Sequence, residues 1–396
     1  MNNPTKYIGN EEKYIKQVLN SENWSATSGS WANNLERMFA ERFNTKYAVA
    51  FNSGTSTIHA ALKASGVKNG DEVISPALTV IMDSTATFHA NAIPVYADIH
   101  PKTFLIDIED VKRKITPKTK AIIIVTLYGL SIDMSPFIEL AKEHNLVLIE
   151  DNAQCVCNDF RGDIASFSFE NTKHISCGEG GIIITNNKNY AELARKIGGH
   201  GFKNLKAEEG RVRLRQDIFQ DPNYKRHDVL GWNYRLSEFS SAIALAQLEK
   251  LDILVDLRIK SAECFIDVML NYCDYLTPQE TPSNQKNSYY TLGVIYSGEE
   301  KIGVSWKDFR AEYIKQGGDG IYGAWSVPYL EPMISDRTFV SHYPEIYKDI
   351  TYNIGLCPTA ERIQPKIMQF KTNYRDVDLA KQKALCLKNT IQKFKV

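Results

Sequence analysis

The sequence predicts an α/β fold with a mainly parallel central sheet, followed by a smaller α+β unit. Between residues 45 and 186, short apolar runs alternate with helical segments, as in strands joined by crossover helices. Most of these runs lack polar alternation, which is typical of strands covered by helices on both faces. Near residue 240 the pattern changes to a long amphipathic stretch and then to mixed elements. We therefore expect a large domain with an N-terminal arm over residues 1–245 and a small domain over residues 246–396.

Local signals place the elements of the large domain. A helix over Thr55–Ser65 ends at Gly66, a typical C-terminal stop, and Ser135–His144 forms another crossover helix. The apolar runs predict six strands: Tyr47–Phe51, Val73–Ser75, Pro94–Ala97, Ala121–Val125, Leu146–Ile149 and Ile182–Thr185.

The second half of the sequence predicts a long helix followed by mixed strands and helices. Leu236–Asn271 contains neither proline nor glycine and predicts one long helix that connects the domains. Beyond it we expect a strand over Ser288–Tyr296 and helices over Trp306–Gln316 and Asp376–Lys393. The charged segment Gly201–Asp228 is interpreted as a solvated loop, with a lid or subunit-contact loop as the alternative.

Composition excludes several classes of partner. Lysine plus arginine equals aspartate plus glutamate at 47 each, which predicts neither nucleic acid nor a membrane surface as partner. No apolar run approaches the ~20 residues of a membrane span, and the start lacks a signal-peptide pattern, so we expect a cytoplasmic protein. The seven cysteines are scattered, and Cys155-x-Cys157 lacks the second pair that a structural zinc site needs. Free thiols and no metal are expected.

The run Asn52–Ser56 joins a predicted strand to a helix N-terminus. Exposed backbone N–H groups and the helix dipole favour an anion there, and Thr55 and Ser56 add hydroxyl donors. An ordinary helix N-cap is the alternative. The run matches neither a Walker P-loop nor a dinucleotide-binding glycine motif.

Glu150 and Asp151 end a second apolar strand. Carboxylates at the carboxyl edge of a parallel sheet face the crevice where such folds bind ligands. Strand alternation sends the two side chains to opposite sides, so only one can face that crevice. There it can hold the protonated ring nitrogen of a pyridoxal cofactor, with a helix-capping acid as the alternative.

Lys173 lies between an apolar run and the glycine turn Gly178–Gly181. This position is at a sheet edge, although a single lysine is usually a solvated surface residue. Lysine forms Schiff bases with carbonyl compounds, and pyridoxal phosphate is the commonest protein-bound aldehyde of this kind.

In this order the three motifs resemble the DegT/DnrJ/StrS sugar aminotransferase family of fold-type I pyridoxal-phosphate enzymes. The resemblance runs through nearly the whole chain. The matching runs are Trp24–Ser30, Leu35–Phe43, Asn52–Thr55, Gly70–Ile74, Tyr128–Leu130, Glu150–Gln154, Gly178–Gly181 and Asn233–Glu238.

The resemblance implies pyridoxal 5'-phosphate as cofactor and Lys173 as the catalytic residue that binds it and moves a proton. Asp151 is implied as the partner of the pyridine nitrogen and Gln154 as a neighbour of the ring. The phosphate is implied to be bound by three hydroxyl side chains, those of Thr55, Ser56 and Ser168.

The resemblance also implies a homodimer with shared active sites. Asn233 is similar to a family asparagine that the neighbouring subunit donates to the cofactor site. Arg235 is a candidate for binding the carboxylate of a substrate or amino donor. His174 is a candidate for substrate contact, with a structural role as its alternative.

The reaction implied is transfer of an amino group from an amino acid, expected to be L-glutamate, to a nucleotide-linked ketosugar, with a role in polysaccharide biosynthesis. A small phosphorylated ketone as acceptor is the first alternative. A pyridoxamine-dependent sugar dehydratase is the second, although such relatives carry histidine in place of the lysine. A non-catalytic sensor or scaffold is the third.

Three departures from the family pattern bear on the substrate. Val80 occupies the place of an aromatic residue that stacks on the cofactor ring, and the segment between Gln154 and Ser166 is short. Glu170 replaces the histidine that typically begins the lysine motif.

Overall fold

The computed structural model describes residues 7–27, 29–208, 210–211 and 214–394. Its largest feature is a seven-stranded sheet in the order β1-β7-β6-β5-β4-β2-β3. Strand β7 is antiparallel to both neighbours, and every other adjacent pair is parallel. The predicted α/β class is therefore confirmed. The strands are β1 Tyr47–Phe51, β2 Glu72–Pro76, β3 Ile93–Ala97, β4 Thr119–Val125, β5 Val147–Asp151, β6 Ile164–Ser168 and β7 Gly181–Thr185.

Helices cover both faces of this sheet. Along β7, Ile183 packs into one hydrophobic cluster, whereas Ile182 and Ile184 pack into another on the opposite face. Burial on both faces explains why the strands read as continuous apolar runs. The helices of this half are α1 Glu11–Ser21, α2 Trp31–Arg42, α3 Gly54–Ala64, α4 Met82–His89, α5 Ile108–Lys114, α6 Ser135–His144 and α7 Lys188–Gly198.

The expected single helix over residues 236–271 is wrong. The chain forms two helices, α9 Glu238–Leu248 and α10 Leu251–Tyr272, that are separated at Glu249 and Lys250. The carboxylate of Glu249 accepts hydrogen bonds from Asn10 Nδ2 at 2.7 Å and from the Tyr14 hydroxyl at 2.5 Å. These contacts with α1 fix the break, and no proline or glycine in the sequence indicates it.

The segment between α7 and α9 contains a two-stranded ribbon, β8 Leu205–Lys206 with β9 Gly210–Arg211, and a short helix α8 Gln216–Gln220. The C-terminal half contains a four-stranded antiparallel sheet in the order β10-β11-β13-β12. The expected strand over Ser288–Tyr296 is shorter than predicted because Tyr289 has a positive φ of 46°. The strands are β10 Leu276–Pro278, β11 Leu292–Tyr296, β12 Tyr322–Gly323 and β13 Ile367–Phe370.

The remaining helices either cover this smaller sheet or return to the large one. Tyr347 is buried in the large hydrophobic cluster, and its hydroxyl donates to the carbonyls of Phe88 and Ala92, both at 3.1 Å. The division near residue 245 remains a prediction. No helix within the described ranges is long and apolar enough to cross a lipid bilayer. The remaining helices of the C-terminal half are α11 Gly298–Ile302, α12 Trp306–Lys315, α13 Pro332–Ser335, α14 Pro344–Tyr347, α15 Pro358–Ile363 and α16 Val377–Lys393.

His59 of α3 provides a test of this packing. Its Nδ1 lies 3.1 Å from the Tyr234 hydroxyl, and its ring contacts Trp232. Burial, with a smaller effect of His89, lowers the pKa of His59 to about 4. Between about pH 4 and 6.5 the histidine is therefore protonated in the unfolded chain but not in the folded one. The free energy of unfolding should rise with pH over this range.

We expect the His59→Asn variant to lose about 3 kcal/mol of this pH dependence. Urea unfolding between pH 4 and 7 measures the free energy of unfolding. The exposed His144 provides the matched control variant His144→Asn. Parallel pH curves for the wild type and His59→Asn would contradict the buried, neutral state of His59.

Candidate active site

A cleft of about 970 Å³ opens at the carboxyl ends of β1, β2, β5 and β6. One wall comes from the large sheet and its loops, and the other comes from the C-terminal half. The residues from the large sheet and its loops are Ser53, Gly54, Thr55, Ile58, Val80, Met82, Asp151, Ala153, Gln154, Ser168, Glu170, Thr172, Lys173 and Glu179. This edge is where α/β folds bind their ligands.

The N-terminus of α3 points at one end of the cleft. Ser53 is its N-cap, and the Ser53 hydroxyl accepts a hydrogen bond from the Ser56 backbone N–H at 3.1 Å. A Cβ atom on Gly54 would lie 2.9 Å from the Ser168 Cβ, so glycine permits this close approach. Thr55 and Ser168 border the cleft here, and their binding of a phosphate stays a prediction. The end of the cleft is therefore a helix N-terminus with hydroxyl groups, which suits an anion.

Ser56, the third residue of the predicted phosphate site, does not line the cleft. Its side chain is buried, and its hydroxyl donates to Asn52 Oδ1 and to the Ser53 carbonyl, both at 2.8 Å. The structure therefore brings Ser53 to the cleft rather than the Ser56 side chain.

At the end of β5 the two carboxylates separate as strand alternation predicts. Glu150 is buried away from the cleft and accepts four hydrogen bonds at 2.7 to 3.0 Å. The donors belong to Asn152, Asn158, Arg161 and Gly162. These bonds organise the short loop that returns the chain to β6. Asp151 faces the cleft on the other side.

Asp151 lies beside a second buried carboxyl group, Asp83 of α4, which accepts a hydrogen bond from Thr79 Oγ1 at 2.9 Å. Burial and then the charge of Asp151 raise the pKa of Asp83 well above its usual value. Burial also raises the pKa of Asp151, whereas the Ala153 N–H and the Lys173 charge oppose that rise. Asp151 is thus the carboxyl group of the pair that a cation can stabilise in its charged form.

Gln154 also reaches the cleft. Its Oε1 accepts a hydrogen bond from the Tyr128 backbone N–H at 2.8 Å. Tyr128 has a positive φ of 64°, so the turn at residues 127–129 presents this N–H in an uncommon backbone conformation. The bond fixes the carboxamide of Gln154 at the cleft wall.

Lys173 reaches the cleft from the loop after β6. Its Nζ lies 4.5 Å from the centroid of the Tyr290 ring, which belongs to the C-terminal half. The Tyr290 hydroxyl lies 2.7 Å from Thr172 Oγ1, which donates to Glu170 Oε2 at 2.6 Å. Lys173, Tyr290 and Glu170 therefore lie on one continuous wall.

Arg258 of α10 binds the backbone of the loop that carries Lys173. Its guanidinium donates to the carbonyls of Tyr290 at 2.6 Å, Thr172 at 2.7 Å and Lys173 at 3.1 Å. Burial, with a smaller effect of Arg375, lowers its pKa to about 9, so it stays charged at neutral pH. The sequence contains a usable signal, because Arg258 lies on the same helical face as the buried residues Leu254, Ala262 and Phe265.

Three predicted site residues lie outside the cleft of their own chain. His174 is buried, and its Nε2 bonds the Ser288 carbonyl at 2.9 Å. Burial and the Arg258 charge lower its pKa well below the usual value, and substrate contact by His174 stays a prediction. Asn233 is exposed, and Arg235 lines a separate cavity of about 50 Å³ beside Glu36 and Arg195.

The C-terminal half contributes cleft residues that sequence reasoning missed. Tyr322 and Trp325 expose 73% and 63% of their surface on this wall, where large aromatic rings are available for a ligand. They lie near a two-residue strand, and nothing in the local sequence predicts their place. The cleft residues from this half are Arg258, Tyr290, Thr291, Tyr322, Gly323, Ala324, Trp325, Gln369, Lys371, Thr372 and Asn373.

The fold and the cleft define an α/β protein with the architecture of the fold-type I transferases. A model of the DegT/DnrJ/EryC1/StrS aminotransferase family matches residues 6–317. The chain belongs to this family, as its motifs predict.

Individual relatives are identical to the chain at about a third of the aligned positions. A GDP-perosamine synthase from Caulobacter vibrioides is 38% identical over 252 residues, which is 62% of this chain and 63% of that protein. The chain thus spans less than two thirds of that relative. A pleiotropic regulatory protein from Geobacillus stearothermophilus is 32% identical over 342 residues, 84% of this chain and 82% of that protein.

Solved structures share the fold over almost the whole chain. An aminotransferase from Psychrobacter cryohalolentis superposes with a TM-score of 0.85 at 24% identity, covering 97% of both chains. A 3-amino-5-hydroxybenzoic acid synthase superposes with a TM-score of 0.79 at 24% identity, covering 97% of this chain and 96% of that one.

The carbonyl contacts of Arg258 lead to a stability prediction. Arg258→Met keeps much of the volume but leaves three carbonyls without their donor, so we expect a loss of about 3 kcal/mol in the free energy of unfolding. Arg37→Met is the matched control, because Arg37 pairs with Glu41 on the surface and should change stability by less than about 0.5 kcal/mol. Urea unfolding of the cofactor-free protein measures both. Equal losses in the two variants would contradict the role of Arg258.

Proposed function

We propose that the protein is a pyridoxal-phosphate-dependent aminotransferase that moves an amino group from an amino acid to a ketosugar. One observation carries the proposal: Lys173, Asp151 and the N-terminus of α3 lie on a single cleft. An amine nucleophile, a buried carboxyl group and an anion site are the three groups that a phosphorylated pyridine aldehyde needs. Membership of the aminotransferase family supports the same reaction class.

The residues fit this cofactor. The backbone at Ser53, Gly54 and Thr55, with Ser168, suits the phosphate. Asp151 suits the protonated ring nitrogen, because a cation compensates for the burial of its carboxylate. Gln154, held by Tyr128, suits the polar edge of the ring. When bound, the cofactor acts as an electron sink for the carbon that gains or loses the amino group.

The chain supplies positioning and proton transfer. The Nζ atom of Lys173 holds and moves the proton at the reacting carbon, because this lysine lies on the same wall as Asp151, whereas Lys371 lies on the opposite wall. Arg258 fixes the backbone on which this lysine lies, and the Tyr290 ring limits where its ammonium can go. Together they keep one amine in a narrow range of positions against a fixed carboxyl group.

For the acceptor we propose a nucleotide-linked ketosugar, and for the donor L-glutamate, with cytoplasmic polysaccharide biosynthesis as the setting. The similarity to GDP-perosamine synthases supports a sugar acceptor. The volume of about 970 Å³ and the exposed rings of Tyr322 and Trp325 supply room and contact surface for a large substrate. Val80 lines the cleft with a smaller side chain than the expected aromatic residue and adds space beside the proposed ring site.

The alternatives have less support. A sugar dehydratase of this family is expected to carry histidine where this chain has Lys173. A regulatory role, suggested by the name of the Geobacillus relative, needs neither the lysine nor the buried carboxyl group, and both are present in the cleft. A purified protein that develops no visible absorbance with pyridoxal phosphate would favour the regulatory alternative.

We also propose a homodimer in which Asn233 serves the site of the partner. Asn233 is exposed and does not line the cleft of its own chain. Its backbone lies beside the start of α3 in its own chain, since the Asn233 carbonyl accepts a hydrogen bond from Asn52 Nδ2 at 3.4 Å. Arg235 is proposed to accompany it and bind a substrate carboxylate.

The Lys173→Ala variant tests the reaction. We expect no turnover and no visible absorbance of a lysine-bound cofactor, because the other lysine of the cleft, Lys371, lies on the opposite wall beside the Tyr374 ring. A glutamate-dependent assay against a panel of ketosugar nucleotides and simple keto-phosphates, read by product mass, measures activity. Lys142→Ala, on the exposed face of α6, is the matched control and should keep wild-type activity. Turnover by Lys173→Ala would overturn the assignment, and ketosugar plus ammonia without amino transfer would indicate a dehydratase.

Subunit mixing tests the shared site. Lys173→Ala and Asn233→Ala should each have little activity alone. When the two chains are co-expressed, half of the dimers pair unlike chains and each such dimer has one intact site. Activity should therefore return to about a quarter of wild type. The Lys173→Ala chain mixed with itself is the control, and no recovery in the mixed sample would contradict donation of Asn233 to the partner.

A further inference from the structure

Two cysteines in the loop after β5 hold their sulfur atoms close together. The Sγ atom of Cys155 lies 3.5 Å from the Sγ atom of Cys157. A disulfide bond requires about 2.05 Å, so closing the bond needs an approach of about 1.5 Å within one short loop. All seven cysteines are free thiols in the structure. The two sulfur atoms of this pair are therefore already in contact.

The two thiols differ in exposure and acidity. Cys157 is half-buried, whereas Cys155 is fully buried. Hydrogen bonds from the Cys155 thiol and the Ser288 hydroxyl, with the charge of Lys286, lower the pKa of Cys157. Burial raises the pKa of Cys155 well above its usual value. Cys157 is thus suited to attack as a thiolate, and Cys155 to act as the second, resolving thiol.

We propose that Cys155 and Cys157 form a reversible dithiol–disulfide site whose reaction partner is a small-molecule disulfide of the glutathione class. The Cys157 thiolate attacks one sulfur of that disulfide, breaks its S–S bond and releases one thiolate, which takes up a proton. The Cys155 thiol then loses its proton, and its sulfur attacks Cys157 Sγ and releases the second small thiol. The protein pair is oxidised by two electrons, and one small disulfide is reduced to two thiols.

The position of the pair connects it to the cleft. Cys155 directly follows Gln154, and Cys157 Sγ lies 3.9 Å from the Gly129 carbonyl. The Ser288 backbone N–H donates to the same carbonyl at 2.8 Å, and the Ser288 carbonyl bonds His174 next to Lys173. The sulfur atoms thus lie where the β5 loop, the turn at residues 127–129 and the C-terminal half meet. Closing the bond between Cys155 and Cys157 should therefore act through Ser288 on His174, the neighbour of Lys173.

The test uses the full chain without cofactor, reduced and freed of reductant, then exposed to oxidised glutathione at pH 8. The protein is then unfolded in denaturant, the remaining thiols are alkylated, the intact mass is measured and peptides are mapped. We expect the folded wild type to lose two of its seven alkylatable thiols, with Cys155 joined to Cys157 and no glutathione retained. Dithiothreitol should restore both thiols. This readout requires no aminotransferase activity, so it is independent of the proposed function.

Single variants separate the two roles. Cys155→Ser should stop at a stable mixed disulfide on Cys157, because the resolving thiol is missing. Cys157→Ser should leave Cys155 unmodified, because that thiol is buried. Cys386→Ser, in the half-buried surface of α16, is the matched control and should behave as wild type. Circular dichroism shows that each variant is folded, and Cys155→Ala and Cys157→Ala replace any that is not.

Three results would overturn the proposal. The first is a wild type that keeps all seven thiols alkylatable after oxidation, and the second is glutathione held on Cys157 without ring closure. The third is a disulfide between other cysteines. Oxidation of Cys155 in Cys157→Ser at the wild-type rate would also contradict the assignment of the attacking thiol.

Discussion

The end of strand β5 is the constraint on which the site depends. Two consecutive buried carboxyl groups must point in opposite directions because side chains alternate along a strand. Glu150 points away from the cleft and takes four hydrogen bonds from the following loop, so that loop is held without help from a ligand. Asp151 points into the cleft and is left with its backbone partner Ala153 and the charge of Lys173. One acid builds the loop, and the other remains available for a cation.

The lysine is positioned by the opposite half of the molecule. Arg258 binds backbone carbonyls on both sides of the cleft, and the Tyr290 ring lies against the Lys173 ammonium. A lysine on a flexible loop samples many positions, and a buried guanidinium with three carbonyl partners reduces that freedom. The C-terminal half is therefore part of the catalytic apparatus that we propose, as well as a wall for the substrate.

The loop between Gln154 and β6 combines two properties. It is short and held by Glu150, which keeps Gln154 at the cleft wall, and it brings Cys155 and Cys157 within 3.5 Å. Because hydrogen bonds that Glu150 and Gln154 accept tie this loop to its surroundings, the proposed oxidation has a route from the sulfur atoms to the cleft wall.

Local sequence determined the large sheet, its helices and the order of the three site motifs, because continuous apolar runs and glycine stops are properties of short segments. It also separated Glu150 from Asp151, since alternation needs no tertiary information. The tertiary structure decided the break at Glu249, which depends on α1, and the burial of Ser56 and His174, whose neighbours are fixed by packing. It also decided that Arg258, Tyr290 and Trp325 belong to the site. These residues come from segments more than 80 positions after Lys173, and only the packing of the two halves brings them to the same cleft.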